Sequence, residues 1–392
     1  MKRICAIAFS HFPEEIRTRR ETEALAEAGY HVDLICLRQK GQMKYERLNG
    51  ITVYRISVKR CREGRLRYIW QYSIFTLLSF VKVTTLYIRR RYSIVHVHNM
   101  PDILIFSSLV PRILKAKVIL DLHDPMPELY MTKYGLLKKQ FMIKFLIFLE
   151  KLSCSFAHMV ITPNISFARV FVSRSCKKKK MNIIMNTSQE SIFFNRFGHS
   201  PQNIETNVKT FRLMFHGTIV ERHGLSFALH AINAVHTHIS NIVFDVYGDG
   251  DVVREFLRIR GLLKLDKIVN YHGTVSIEHI ADAIQSIDAG LIPNIPGPFT
   301  QINLPTRIFE YLSFNKPVVA PRMTGIQDYF DEDSIFYFEP GNIDSLAGTI
   351  VDIYTNPIKR QTVIENGRNV YNKYQWKYEK LKLISCFNNL ID

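Results

Sequence analysis

Short β-rich runs alternate with helical stretches along nearly the whole chain, and this rhythm limits the possible folds more than any single motif. Ile4–Phe9 reads as a strand, Glu14–Glu27 as a polar helix closed by Gly29, and His31–Leu37 and Thr52–Ser57 as strands. Leu66–Arg89 reads as a long helix and Ile94–His98 as the next strand. Pro101–Arg112, Val118–Asp121, Leu136–Phe156, Met159–Thr162 and Ile165–Ser173 continue the alternation. Such a βαβ order builds a mostly parallel sheet with helices on both faces.

The rhythm breaks at Cys176-Lys-Lys-Lys-Lys180, and the chain stays polar from Asn186 to Lys209. A second alternation then begins. Its strands are Phe211–His216, Ile242–Tyr247, Ile268–Tyr271, Ala289–Ile292, Pro317–Ala320 and Ile335–Phe338. Its helices are Leu225–His236, Val252–Arg260, Ile277–Ile284 and Pro305–Ser313, and the end from Ile343 is helical with a break at Pro357. With 392 residues the chain exceeds what one hydrophobic core usually organises. The expectation is two doubly wound α/β domains, 1–190 and 210–370, joined by a linker at 191–209.

Charge divides the chain at the same place. Residues 1–200 hold 34 basic and 14 acidic side chains, a balance of +20, whereas residues 201–392 hold 18 and 21, a balance of −3. An anionic partner is expected for the first half only. Nucleic acid is not that partner, since no zinc-finger or RNP-type signature appears. Arg60, Arg62, Arg65 and Arg67 precede a helix bearing Trp70, Tyr72, Phe75 and Phe80, and Lys138, Lys139 and Lys144 interleave with Phe141, Ile143, Phe145 and Leu146. That mixture suits a monotopic membrane surface; the plain alternative is that the apolar faces pack on the sheet and only the charges are exposed. The longest uncharged stretch, Tyr68 to Val81, has 14 residues, short of the roughly 20 that span a bilayer. The six-residue apolar run Ile4–Phe9 is too short for a signal-peptide core. Six scattered cysteines without a Cys-x-x-Cys pair suit a reducing compartment. These features imply a cytoplasmic protein, peripheral on the inner face of the cell membrane.

In open parallel α/β sheets ligands sit at the carboxyl ends of the strands. Polar and glycine residues follow the predicted strands at Ser10, His98-Asn99, Asp121-Leu-His-Asp124, His216-Gly217, Tyr247-Gly-Asp-Gly250, His272-Gly273 and Pro293-Asn294. His96 and His98 on a buried strand read as structural, and Cys5, Cys36 and Cys154 as core fillers.

The motifs together resemble the family-4 retaining glycosyltransferases of the two-Rossmann, GT-B type. The resemblance rests on Phe215-His-Gly-Thr-Ile-Val-Glu-Arg-His-Gly224, Tyr247-Gly-Asp-Gly250, Tyr271-His-Gly-Thr-Val275, Leu304-Pro-Thr-Arg-Ile-Phe-Glu-Tyr-Leu312 and Lys316-Pro-Val-Val-Ala320. In the first half it rests on Arg17 through Gly29 and on His96-Val-His-Asn-Met-Pro-Asp102. It implies two Rossmann-like domains facing a cleft, with residues 371–392 forming a helix that returns to the first domain. A sugar would pass, with retention and without a metal, from a UDP- or GDP-sugar to a lipid-linked or growing cell-envelope saccharide. No cofactor is implied.

The residue roles follow the same resemblance. His123 would stand beside the anomeric carbon. Arg222 and Arg307 would face the diphosphate as its charge grows, with Gly217 letting backbone amides approach at a helix start. Thr218, Gly248, His272, Gly273, Pro293, Leu304 and Thr306 would complete the donor site, and Glu310 would hold the ribose, unless it merely pairs with a nearby arginine. Ser10, Arg17, Asn99, Asp124 and Glu128 would lie on the acceptor side. One departure stands out: the family often carries a glutamate eight residues before Glu310, where this chain has Ile302. Backbone amides around Gln301–Leu304 would then hold the sugar. Ile302 also keeps open a non-catalytic, membrane-associated partner subunit, and another nucleotide-sugar enzyme of this fold, such as a 2-epimerase, is the second alternative.

Overall fold

The computed structural model describes residues 2–58, 65–135, 140–188, 193 and 210–391, with residues 65–69 described by backbone alone. Arg60, Arg62, Lys138 and Lys139, the side chains of Arg65 and Arg67, and the expected linker apart from Phe193 lie outside the described residues. Two compact units result: residues 1–186 with 377–392, and residues 187–376.

The first unit is built on β1 (Arg3–His11), α1 (Ile16–Glu27), β2 (His31–Leu37), β3 (Tyr45–Leu48), β4 (Ile51–Ile56), α2 (Arg65–Arg90), β5 (Ile94–His98), a 3-10 turn (Asp102–Ser108), α3 (Leu109–Ile113), β6 (Lys117–Asp121), α4 (Met126–Tyr134), α5 (Gln140–Phe156), β7 (Met159–Thr162), α6 (Ile165–Arg174) and β8 (Met181–Ile183). The strands form one sheet in the order β3-β4-β2-β1-β5-β6-β7-β8. Every pairing is parallel except β3 with β4. Because helices cover both faces, the central strands are apolar almost throughout: Ile4 to Ile7, Leu34, Ile35, Val95, Val97, Ile119 and Leu120 are fully buried. Cys5, Cys36 and Cys154 lie in this core.

The second unit carries a six-stranded parallel sheet. Its strands are β9 (Phe211–His216), β10 (Ile242–Tyr247), β11 (Val269–Gly273), β12 (Ala289–Leu291), β13 (Val318–Pro321) and β14 (Phe336–Phe338), in the order β11-β10-β9-β12-β13-β14. The order reverses between β9 and β12, which is the crevice where doubly wound sheets place their ligands. Phe215, Phe244, Leu229, Ile232 and Ile350 belong to the core on one side of this sheet.

Three features were not legible in the sequence. The expected helix Pro101–Arg112 divides into the 3-10 turn and α3, with Pro111 inside the short helix. Met126–Tyr134 is a separate helix, ended by Gly135 at φ 81°. Tyr45–Leu48 adds an antiparallel edge strand from a stretch with no alternating apolar pattern. The helical end forms Ile343–Thr355, Pro357–Lys373 with proline in its first turn, and Trp376–Ile391. Residues 377–391 pack in the first unit. Phe387 meets the His96 ring edge-on at 5.3 Å, and Glu379 accepts the Met185 amide at 2.8 Å. Among the described residues, no helix is long and apolar enough to cross a membrane.

Candidate functional site

In the first unit, polar residues cluster where β1, β5 and β6 end. His96 and His98, two apart on β5, share a face of the sheet. Arg17 and Glu21, one turn apart on α1, lie over that face. All four are buried, and so is Asp121 at the end of β6. Arg17 donates from Nε and Nη2 to the two Asp121 oxygens at 3.2 and 2.9 Å, and from Nη1 to the Ile184 carbonyl at 3.3 Å. Its Nε also stands 3.1 Å from Glu21 Oε1. The expected acceptor-side Arg17 is therefore turned inward on the sheet.

Burial alone would raise the Asp121 carboxyl, but Arg17 and then His123 hold it well below the usual carboxylate range. Glu21 goes the other way: burial pushes it up, outweighing Arg17, and the neighbouring Asp121 charge adds to the rise. Burial, then His98, holds His96 in its neutral form. Donor atoms of Glu21, His96, His98 and Asp121 come within 4.8 Å of one another, a set chemically able to hold a metal. Arg17 already brings positive charge to both carboxylates of that set.

His123 emerges just past Asp121, with its side chain 21% exposed. Its Nε2 lies 3.1 Å from Asp121 Oδ2 and 3.2 Å from His98 Nδ1. Asn99 fixes the backbone here: its Oδ1 accepts the His123 amide at 2.7 Å, and its Nδ2 donates to Asp102 Oδ1 and the Asp124 carbonyl, each at 3.0 Å. Asn99, His123 and Asp124 are thus brought together, with Ser10 half-buried at the end of β1. Glu128 is engaged elsewhere, taking both terminal nitrogens of Arg174 at 2.6 and 2.9 Å.

In the second unit the expected donor residues gather at the ends of β9, β10, β11 and β12. Gly217 follows β9 with φ 120°, and a Cβ there would stand 3.1 Å from Arg307 Nη2. The Arg307 guanidinium lies over the Phe215 ring, 4.4 Å from its centroid, and burial lowers its affinity for a proton. Its Nη1 is buried without a hydrogen-bond partner. Gly248 presses on the Gly217 carbonyl so closely that a Cβ would lie 2.0 Å from the oxygen. His216 Nε2 approaches Glu310 Oε2 at 3.2 Å. Arg222 lies 5.7 Å from the Phe299 ring. Pro293 and Leu304 are buried, Thr306 is half-buried and Thr218 exposed.

Two expectations about this cluster are corrected. Gly217 is not at a helix start: its amide donates to the Tyr247 carbonyl at 3.0 Å, and the helix begins only at Leu225, with Gly224 as its N-cap. The amides of Gln301, Ile302 and Asn303 are bonded to the carbonyls of Gly297 and Phe299, so a local turn, and not a ligand, satisfies them. His272 is exposed beside Gly273, stacked on Tyr247 at 4.2 Å, with Nε2 2.8 Å from Asp245 Oδ1. Sequence reasoning placed Asp121 and His98 at strand ends without giving Asp121 a role and with a structural reading for His98, and it did not name Glu21. The spacing of Asp121 and His123 at one strand end was the available signal for the first. The pairing of α1 with β5 had none.

Two doubly wound parallel-sheet units with a C-terminal helix returning to the first are the GT-B architecture. Residues 15–187 match the glycosyl transferase 4-like domain and residues 210–356 the glycosyl transferases group 1. The chain belongs to the GT-B glycosyltransferases of the family-4 type. A sulfoquinovosyl transferase of Arabidopsis thaliana is 20% identical over 299 residues, covering 74% of this chain; the chain spans 55% of that relative's length. Sucrose-phosphate synthase of Thermosynechococcus elongatus has a similar structure, with a TM-score of 0.78 at 18% identity over 100% of this chain and 99% of the other. HepE of Anabaena in complex with UDP gives 0.73 at 14% identity, over 99% and 100%. At these identities the likeness is one of fold.

Proposed function

We propose that this chain is a retaining, metal-independent glycosyltransferase that moves a sugar from a nucleoside-diphosphate sugar to a lipid-linked or growing cell-envelope saccharide. The observation that carries the reading is Arg307, half-buried beneath Gly217 with an unpartnered Nη1 and with Glu310 in the same cluster. A buried guanidinium lacking a partner is costly unless an anion completes it, and a diphosphate is such an anion. As the anomeric bond breaks, charge grows on the departing phosphate; Arg307 and Arg222 oppose it without having to reorganise. Glu310 accepts from ribose hydroxyls. HepE is described with UDP and with UDP-glucose, which favours a uridine donor here over a guanosine one.

The charge of the first unit and the surface of α2, α3 and α5 support a membrane-bound acceptor. Phe75 and Val83 bury against the sheet, whereas Trp70, Leu77, Val81, Ile88, Ile113, Phe141, Phe145 and Phe148 are exposed. Lys144, Lys151, Lys115, Arg89 and Arg91 are exposed on the same helices or directly after them. Apolar side chains interleaved with cations suit the headgroup boundary of an anionic leaflet.

A thermal-shift panel of UDP, GDP, ADP and their glucose conjugates tests the donor site, because a ligand bound only by the folded state raises Tm. A rise with one nucleotide that is weakened by Glu310→Ala supports the reading. Well-folded protein that responds to none of them, and releases no nucleotide from any conjugate with membrane lipid present, would remove it.

A further inference from the structure

Asp121 is fully buried, yet it is the ionised partner of two groups at once. Arg17 binds both its oxygens and is itself anchored on the Ile184 carbonyl, so the carboxylate cannot rotate freely. Its Oδ2 points at His123 Nε2 across 3.1 Å. A carboxylate oxygen at that distance from a bare ring nitrogen would set two lone pairs against each other, so the charge selects the tautomer with the proton on Nε2. His98 Nδ1 stands 3.2 Å from the same nitrogen and 3.4 Å from the same carboxylate oxygen, and its neutral ring cannot replace the carboxylate's charge. The hydrogen bond that the His123 backbone amide donates to Asn99 Oδ1 holds the other end of the residue.

We propose that Asp121, clamped by Arg17, is a positioning residue that fixes the His123 imidazole with its proton on Nε2 and its Nδ1 bare. The bare Nδ1 is then the atom left over for a hydrogen-bond donor, such as a sugar hydroxyl. The significance for turnover rests on the reading of His123 as a residue beside the reacting sugar; the tautomer itself does not. Arg17, expected on the acceptor side, acts instead through Asp121. Helix α1 therefore carries no substrate contact at this position but sets the orientation of a side chain more than 100 residues away in sequence.

The full-length chain labelled with 15N-histidine provides the test, the His123 resonances being assigned by their loss in His123→Gln. At neutral pH, wild-type protein should show a protonated Nε2 and an unprotonated Nδ1 for His123. In Asp121→Asn the two nitrogens should move towards the averaged values of an imidazole exchanging between tautomers, and Arg17→Lys should give an intermediate pattern. In the release of UDP from UDP-glucose, kcat should fall at least tenfold in Asp121→Asn with little change in KM, and Asp121→Glu should recover part of it. A wild-type His123 protonated on Nδ1, or a pattern unchanged in Asp121→Asn, overturns the proposal. The wild-type spectrum decides the matter even where a variant fails to fold. If UDP-glucose is not turned over by wild type, that donor assignment fails while the spectra still judge the dyad.

Discussion

Arg307 and Gly217, 90 positions apart, touch: a methyl group added to Gly217 would stand 3.1 Å from the guanidinium Nη2 and 3.3 Å from its central carbon. The glycine also sits at φ 120°, where an L side chain is strained by about 1–3 kcal/mol. Gly217→Ala should therefore lower Tm and displace Arg307 together. Calorimetric titration with UDP should show affinity reduced at least tenfold. Arg307→Met should lose as much affinity with Tm kept, because only the charge is removed.

Gly248 sets a harder limit. Its absent Cβ would lie 2.0 Å from the Gly217 carbonyl oxygen, and backbone cannot swing away as a side chain can. Gly248→Ala should destabilise the second unit by about 3 kcal/mol. Urea unfolding read by tyrosine fluorescence would measure it; a loss below the error of the extrapolation would mean the β9 and β10 ends are looser than they appear.

Stability should depend on acid through two buried histidines. Burial, then Arg307, pushes His216 down to about 3; the same two causes and Arg222 push His223 to about 3, against its bond to the Thr218 carbonyl. Unfolded histidines titrate near 6.5, so between about pH 6.5 and 3 the unfolded chain binds more protons than the folded one. Stability is thus complete above that window and is lost as pH falls through it. Each histidine contributes at most about 1.4 kcal/mol per pH unit to the slope. The double variant His216→Gln, His223→Gln should flatten the urea midpoint between pH 7 and 5.

Arg174 joins two carboxylates. It reaches Glu128 at 2.6 and 2.9 Å and Glu150 at 2.9 and 2.7 Å, and Glu150 is fully buried. Arg174→Met leaves that charge unpaired and should cost about 3–5 kcal/mol. Glu128→Gln, retaining one neutral acceptor for the same arginine, should cost far less. Comparable losses for the two would show that Glu128, and not Glu150, is the partner that matters.

Membrane association should depend on the apolar side chains of α5 as well as on charge. Phe141→Ser, Phe145→Ser and Phe148→Ser together should abolish co-sedimentation with phosphatidylglycerol vesicles at 0.15 M salt, with Tm unchanged because all three are exposed. Retention of binding that disappears at 0.5 M salt would assign the attraction to charge alone.

The alternation of strands and helices, the two parallel sheets and the residues at their carboxyl ends are legible from sequence because burial on both faces imposes unbroken apolar runs on parallel strands, as in Ile4–Phe9 and Phe211–His216. Loops after those strands bear the polar residues for the same topological reason. What the sequence could not supply is which polar groups satisfy one another. Arg17, on a polar helix, reads as an acceptor-side residue, and only the packing of α1 on β5 and β6 turns it onto Asp121. The amides near Ile302 read as available, and only a local turn shows them spent. Edge strand β3 and the division of Pro101–Arg112 escaped for a related reason: their residues carry no periodic signal, and neighbouring elements decide their conformation. Local apolar spacing reports burial, but the partners of a buried charge are chosen by atoms far away in the chain, and those are fixed only when the sheet and its helices close together.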